Sequence, residues 1–194
     1  MPNTKPLLII VSGAPGSGKT TLAAKVAHRL RLPHIERDTI LRGIEYTAHG
    51  SIDRSRLGIE SYYSVLEYLI QTNISFVTDG TLYKGVSEQD IKRRLIKVAH
   101  VVNIHTRATQ ENQRFYDREM NRSGHPSDWV KGHMQHLDDI YDQTVNPLDM
   151  GITVIEVDAT SEYIPSFDVI VDRINQDYNK AINESRKRYN ETTN

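Results

Sequence analysis

One octapeptide limits this chain more than any other feature. Gly13-Ala14-Pro15-Gly16-Ser17-Gly18-Lys19-Thr20 fits G-x-x-x-x-G-K-[ST], the pattern of a phosphate-binding loop. The spacing follows from the chemistry of holding a polyphosphate. Glycines let backbone N–H groups turn inward around phosphate oxygens without Cβ clashes. A helix that starts at the loop points its positive dipole end at the anion. Lys19 then reaches the β- and γ-phosphates, and the Thr20 hydroxyl is placed to ligate Mg2+. The flanks are those the pattern needs. Leu7-Leu8-Ile9-Ile10-Val11 reads as a buried parallel strand, and Leu22, Val26 and Leu30 follow at helical spacing. Gly13, Ala14, Pro15, Gly16, Ser17, Gly18, Lys19, Thr20 and Thr21 are therefore the expected nucleotide-binding residues, with Thr20 on the metal.

The rest of the chain alternates in the same way. His34 to Asp38 reads as a short second strand, and the polar, Gly-punctuated run from Gly43 to Gly58 as an irregular loop. Tyr62, Leu66, Leu69 and Ile70 mark a helix, and Ser75 to Gly80 a third strand. Ile91, Leu95 and Val98 face inward on the next helix, before a fourth strand over His100–His105. Gln110 to Arg122 is a charged helix broken by Ser123-Gly124-His125-Pro126, and a second helix runs over about 128–142. Thr153 to Val157 is the fifth strand. Phe167, Ile170, Ile174 and Tyr178 stripe a C-terminal helix over about 165–184, and Ser185 to Asn194 is expected to fray. This predicts an α/β fold: a doubly wound five-stranded parallel sheet in one domain over 1–194, with a small helical lid over about 114–135. Sites in such sheets lie at the carboxyl ends of the strands. Gly13, Asp38 and Asp79 fall at predicted strand ends and should converge, with Asp38 on the strand beside the first.

Phosphoryl transfer needs an aligned acceptor, a metal and positive charge around the migrating group. Asp38 is the candidate base for an acceptor hydroxyl, or holds Mg2+ through water; alternatively it caps the helix after it. Asp79 would bind metal-bound water or an acceptor hydroxyl, and Thr81 would hydrogen-bond substrate; alternatively Asp79-Gly80 is a turn. Arg114, Arg118 and Arg122 recur every four residues and form one basic stripe. A lid helix would bring two of them over the γ-phosphate; alternatively they pair with Glu111 and Asp117 on a solvated face. His105, His125, His133 and His136 match no metal motif. Trp129 and the Tyr62-Tyr63 pair read as packing residues, and Arg186-Lys187-Arg188 as a solvated face.

Composition excludes several classes. A net charge of −1 argues against a broad nucleic-acid-binding surface. The absence of cysteine rules out disulfides, thiolate metal sites and a cysteine nucleophile. With no leader-like start and no run approaching the roughly 20 apolar residues of a membrane span, the expectation is a cytoplasmic protein without membrane partners, a monomer or a homodimer.

At these residues the sequence resembles the small AAA-type P-loop kinases related to gluconate kinase, chloramphenicol phosphotransferase and zeta toxins, from Leu7 to about Thr160. Arg37-Asp38-Thr39-Ile40 resembles the segment where the phosphotransferases and toxins place their general base. Asp79-Gly80-Thr81 resembles the acidic-Gly-Thr segment that contacts acceptor in zeta toxins, with Asp in place of the usual Glu. Arg118-Glu119-Met120-Asn121-Arg122-Ser123-Gly124-His125 resembles the gluconate-kinase lid, R-x-x-x-R-x-G-H, which implies that Arg118 and Arg122 clasp the nucleotide and γ-phosphate. Asp158-Ala159-Thr160 matches the segment that contacts adenine. Asp38 and Arg42 stand one residue further apart than in the polynucleotide-kinase pattern R-D-D-x-R. The resemblance implies a P-loop NTPase kinase fold and an ATP- and Mg2+-dependent kinase acting on a hydroxyl of a small molecule. Lys19, Asp38, Arg118 and Arg122 would be catalytic, Thr160 would contact nucleotide, and Asp38, Arg42, Asp79 and Thr81 would bind acceptor. Two rivals stay open. One is a nucleotide-sugar or polynucleotide 5′-hydroxyl kinase. The other is a nucleotide-hydrolysing switch, whose GTP version the missing N-K-x-D run disfavours.

Overall fold

Each apolar run becomes a strand because only a sheet covered on both faces can bury it. The computed structural model describes residues 4–47, 53–121, 135 and 141–193. The chain runs β1 (Leu7–Gly13), α1 (Lys19–Leu30), β2 (His34–Glu36), α2 (Arg37–Thr47), α3 (Arg54–Gln71), β3 (Phe76–Gly80), α4 (Val86–Arg94), β4 (His100–Arg107), α5 (Glu111–Asn121), β5 (Thr153–Asp158) and α6 (Phe167–Thr193). The sheet is five-stranded in the order β2-β3-β1-β4-β5, and every pairing is parallel. The expected α/β doubly wound sheet is therefore the observed one.

β1 shows how the two faces are filled. Its alternate residues Leu7, Ile9 and Val11 pack with Leu22 and Val26 of α1 and with Ile170 and Ile174 of α6. Leu8 and Ile10 point the other way, into Tyr62, Leu66, Ile91 and Leu95 of α3 and α4. Tyr62 and Tyr63 are thus core residues, each 3% exposed.

Five local expectations are corrected. First, β2 stops at Glu36, and Asp38 lies in the first turn of α2 rather than at a strand end. Thr39 donates to the Glu36 carboxylate at 2.7 Å, so the polar run starts a helix. Second, the strands beside β1 are β3 and β4, whereas β2 is an edge strand pairing only with β3. β3 is buried at all five positions and β2 at none, and a half-exposed strand belongs at an edge. Third, the segment from Gly43 is helical to Thr47 and helix resumes at Arg54, because Ile40, Leu41 and Ile59 give both helices an apolar side to pack. Fourth, α4 ends at Arg94, so Ile91 and Leu95 are buried but Val98 is 49% exposed. Fifth, at the C-terminus α6 continues to Thr193, past the expected end near 184. Its last turns are polar but helix-forming, with Glu184 and Arg188 paired at 3.7 Å.

The lid prediction is described only in part. α5 covers its start; Arg122, Gly124, His125, Trp129, His133 and His136 lie outside the described residues.

Candidate active site

The phosphate loop joins β1 to α1 and is packed from the β4–α5 side. Gly16 has φ +86°, and a Cβ there would lie 2.0 Å from the Glu111 carbonyl oxygen. Only glycine fits both the left-handed backbone and the close approach. Ser17 is fully buried, its hydroxyl 2.8 Å from that of Thr106, which donates to the Ser12 carbonyl. The loop is thereby tied to β4 as well as β1. Gly18, also left-handed, caps α1 without a side chain and leaves the first helical N–H groups open to an anion.

Lys19 is 6% exposed, and among the described residues its Nζ donates only to the Ala14 carbonyl, at 3.4 Å. Burial pushes its pKa down; Asp38 and then Asp79 oppose that, Arg118 adds to it, and Glu111 opposes it weakly. Groups from α2, β3 and α5 thus all act on one buried amine at the head of α1.

Next to it, Thr20 donates to Asp79 Oδ2 at 2.5 Å, and His34 Nε2 lies 2.9 Å from Asp79 Oδ1. Asp79 is 4% exposed and stands at the end of β3, paired in register with Val11. A hydroxyl beside a carboxylate is the hard-oxygen donor set that suits Mg2+ next to a phosphate loop. Among the described residues no three His, Asp or Glu side chains could hold an ion by themselves, so phosphate oxygens and water would complete the shell.

On the other flank, Asp38 is exposed on the first turn of α2. Beside it Arg37 is half-buried, its guanidinium 5.9 Å above the Tyr62 ring and 3.5 Å from the Thr81 carbonyl. Thr81 is buried. Burial pushes the Tyr62 phenol up to about 12, against a hydrogen bond with Thr78, so it stays neutral. Arg42 lies 4.0 Å from Glu119 of α5, a fully buried carboxylate that accepts from Arg118 Nε at 3.0 Å. Glu119 therefore links α2 to α5.

The basic stripe of α5 divides. Arg118 lies within electrostatic reach of Lys19. Arg114 instead donates to the carbonyls of Ala159 and Thr160, at 3.2 and 2.5 Å. Among the described residues Glu111 and Asp117 pair with neither Arg114 nor Arg118: Glu111 turns inward to accept from the Ala108 N–H at 2.6 Å, and Asp117 accepts from Gln113. Burial raises the Glu111 pKa. The Thr160 hydroxyl accepts from the Thr109 N–H, and the Thr160 N–H donates to Asp158; the Thr160 side chain first, and then its N–H, hold the Asp158 carboxyl below its usual range. Gly18, Thr21, Lys25, Arg114, Ala159 and Tyr163 border a cleft of about 430 Å3 outside the phosphate loop.

Of the residues singled out in the sequence, Lys19, Thr20, Asp38, Asp79 and Arg118 come together, with Thr81 and Arg42 alongside; Thr160 lies across the loop on the Arg114 side. Reading the sequence missed His34, Arg37 and Glu119. His34 and Glu119 fit no motif, and their partners come from other elements. Arg37 sits next to Asp38 in the quoted motif and could have been flagged there.

The AAA_33 family, described as an AAA domain, matches residues 8–144. No curated protein matches the sequence. Among solved structures, a candidate kinase from Chloroflexus aurantiacus J-10-fl is similar with a TM-score of 0.68 and 21% identity, over 89% of this chain and 98% of that one. A gluconokinase from Sinorhizobium meliloti 1021 has a TM-score of 0.51 and 16% identity, over 97% of this chain and 99% of that one. A chain of the Pnkp1/Rnl/Hen1 RNA repair complex has a TM-score of 0.52 and 20% identity, over 72% of this chain and 46% of its own length. The matched stretch spans the phosphate loop, Asp38, Asp79 and α5, and the chain accordingly belongs to the AAA_33 family of AAA domains, with the fold of the small P-loop kinases.

Proposed function

We propose that this chain is an ATP-dependent kinase that moves the γ-phosphoryl group to a hydroxyl of a small molecule, with Mg2+ as cofactor. The observation that carries this reading is the surroundings of Lys19, where the exposed carboxylate of Asp38 and the guanidinium of Arg118 act on the same buried amine. Transfer to an alcohol needs both: a base for the proton and positive charge for the migrating group.

In the reaction the acceptor oxygen bonds to the γ-phosphorus while the bond to the β,γ-bridging oxygen breaks. ADP leaves with that electron pair, and the hydroxyl proton passes to Asp38. Lys19 neutralises the β- and γ-phosphates, and Arg118, with Arg122 from the lid motif, stabilises the charge on the equatorial oxygens. Thr20 and Asp79 would hold the Mg2+, which would supply positive charge that neutralises the phosphates. Arg42 and Thr81 orient the acceptor, and the Thr160 segment borders the nucleotide. A cytoplasmic setting goes with this reading; no described helix is long and apolar enough to cross a membrane.

The test combines a panel of hydroxyl compounds, followed by ADP release and product mass spectrometry, with Asp38→Asn. The variant should lose about 10²–10⁴-fold in turnover with ATP binding intact; unchanged turnover removes Asp38 as base. ATP hydrolysis that no compound accelerates favours the switch instead. The likeness to a chain of an RNA repair complex supports a second reading, a polynucleotide 5′-hydroxyl acceptor, which a steep fall of binding with salt would favour.

A further inference from the structure

Arg37 is the charged group that the proposed mechanism leaves without a task, and its surroundings are those of a binding residue. It is half-buried at the start of α2. Its aliphatic stem crosses the end of β3, where a Cβ on Gly80 would lie 2.8 Å from Arg37 Cδ. Glycine at 80 leaves room for that close approach, and the guanidinium lies 5.9 Å from the Tyr62 ring centroid and 3.5 Å from the Thr81 carbonyl.

The nearby charges are otherwise committed. Both oxygens of Asp79 have partners, one in Thr20 and one in His34. Glu119 serves Arg118 and Arg42. Among the described residues no carboxylate oxygen lies within 4 Å of the Arg37 guanidinium, whose hydrogen bonding is one long contact to a neutral carbonyl. A half-buried guanidinium keeps most of its planar fork of donors unused here, and that fork matches the two oxygens of a carboxylate or phosphate. The N-terminal end of α2 adds positive potential at the same place.

We infer that the acceptor carries a negatively charged oxyanion group, a carboxylate or a phosphate monoester, which binds Arg37 and thereby sets its hydroxyl at Asp38. This rests on the kinase reading of the same site and names the class of acceptor. Arg37 and Asp38 both lie within electrostatic reach of Tyr62 and Tyr83, so one acceptor can meet both. Arg37 is then a specificity residue: a neutral analogue would leave the guanidinium unpaired and bind less well.

Two measurements decide it. In the first, protein saturated with a non-hydrolysable ATP analogue and Mg2+, so that the phosphate loop is filled, is titrated with sulfate. The Arg37 Nε–H resonance, assigned by its loss in Arg37→Gln, should shift saturably. A resonance that does not move overturns the inference, and this result needs no turnover, so it stands apart from the kinase reading. In the second, matched acceptors are compared: a six-carbon aldonate with its alditol, and glycerol 3-phosphate with glycerol. The charged member of at least one pair should have the lower KM, and the pair that responds tells carboxylate from phosphate. Arg37→Gln should raise that KM about 10- to 100-fold, Arg37→Lys less, with the KM for ATP unchanged as the control for folding. Neutral acceptors preferred in both pairs, or equal losses on charged and neutral members, overturn it. If no alcohol is phosphorylated, the kinase reading falls and the sulfate titration alone decides whether Arg37 is an oxyanion site.

Discussion

A lysine amine that is 6% exposed and hydrogen-bonded to a carbonyl is costly to keep charged. Its folded pKa is lowered, chiefly by burial. The sign follows: stability is fully present above the unfolded value of 10.5 and is lost as pH falls through the folded value. Near neutral pH the charged amine therefore destabilises the empty protein, and a bound polyphosphate relieves the cost. Lys19→Met should raise the melting temperature of the nucleotide-free protein by about 2–4 °C, what about 1 kcal/mol is worth at this length. The same variant should abolish the stabilisation by ATP. A thermal scan with and without nucleotide checks both, and a variant that melts lower without ATP contradicts the burial argument. Asp79 separates two roles that its sequence context left open. Its bonds to Thr20 and His34 are the ground for proposing it as a metal ligand. Asp79→Asn should raise the Mg2+ concentration for half-maximal turnover about 10- to 100-fold. An unchanged Mg2+ dependence with a higher KM for the acceptor would move it to the acceptor side.

Elements differ in how much of them could be read beforehand. The phosphate loop was readable because its chemistry demands a local backbone, and the strands because each is an apolar run too short for a buried helix. The order of strands was not. Parallel strands joined by helical crossovers carry no local mark of their spatial neighbours. Asp38 was consequently assigned to the strand next to β1, a place that β3 and Asp79 occupy. α2 was hidden because Gly43 and Gly58 looked like loop punctuation although both stand in helices. On α5 the spacing of the arginines was readable but their targets were not: Arg114 reaches carbonyls just after β5, and Arg118 turns to the neighbouring Glu119. Arg114 anchors α5 to the Ala159–Thr160 carbonyls beside the cleft proposed for the nucleotide. Arg114→Ala should therefore raise the KM for ATP about tenfold, the equivalent of about 1.4 kcal/mol, with kcat nearly unchanged. A loss in kcat alone would instead place Arg114 with Arg118 at the migrating phosphate.

Across the whole molecule, the central strands meet the segment that precedes β5 at one buried histidine. His105 of β4 is 3% exposed, with Nδ1 3.2 Å from the Ser12 hydroxyl of β1 and Nε2 3.0 Å from the Val145 carbonyl. That carbonyl can only accept, so Nε2 carries the proton of the neutral ring. Burial lowers the His105 pKa against the pull of the Val145 carbonyl. Its contribution to stability is present above the unfolded value of 6.5 and is lost as pH falls through the folded value. Glu111 works in the opposite sense. Its folded pKa is raised by burial, so its contribution is present below the unfolded value of 4.5 and is lost as pH rises through the folded one. Below pH 6.5 the two partly offset each other, and the pH dependence of the intact protein understates the histidine. The comparison that isolates it is urea unfolding of the unsubstituted chain and of His105→Asn between pH 8 and pH 5. The variant should be less stable at pH 8, having lost a well-packed ring. The gap should then narrow as pH falls, by at most about 1.4 kcal/mol per pH unit for one proton. A gap that stays constant across this range means that His105 is not protonated on unfolding there, and that the sheet is held at this point by packing alone.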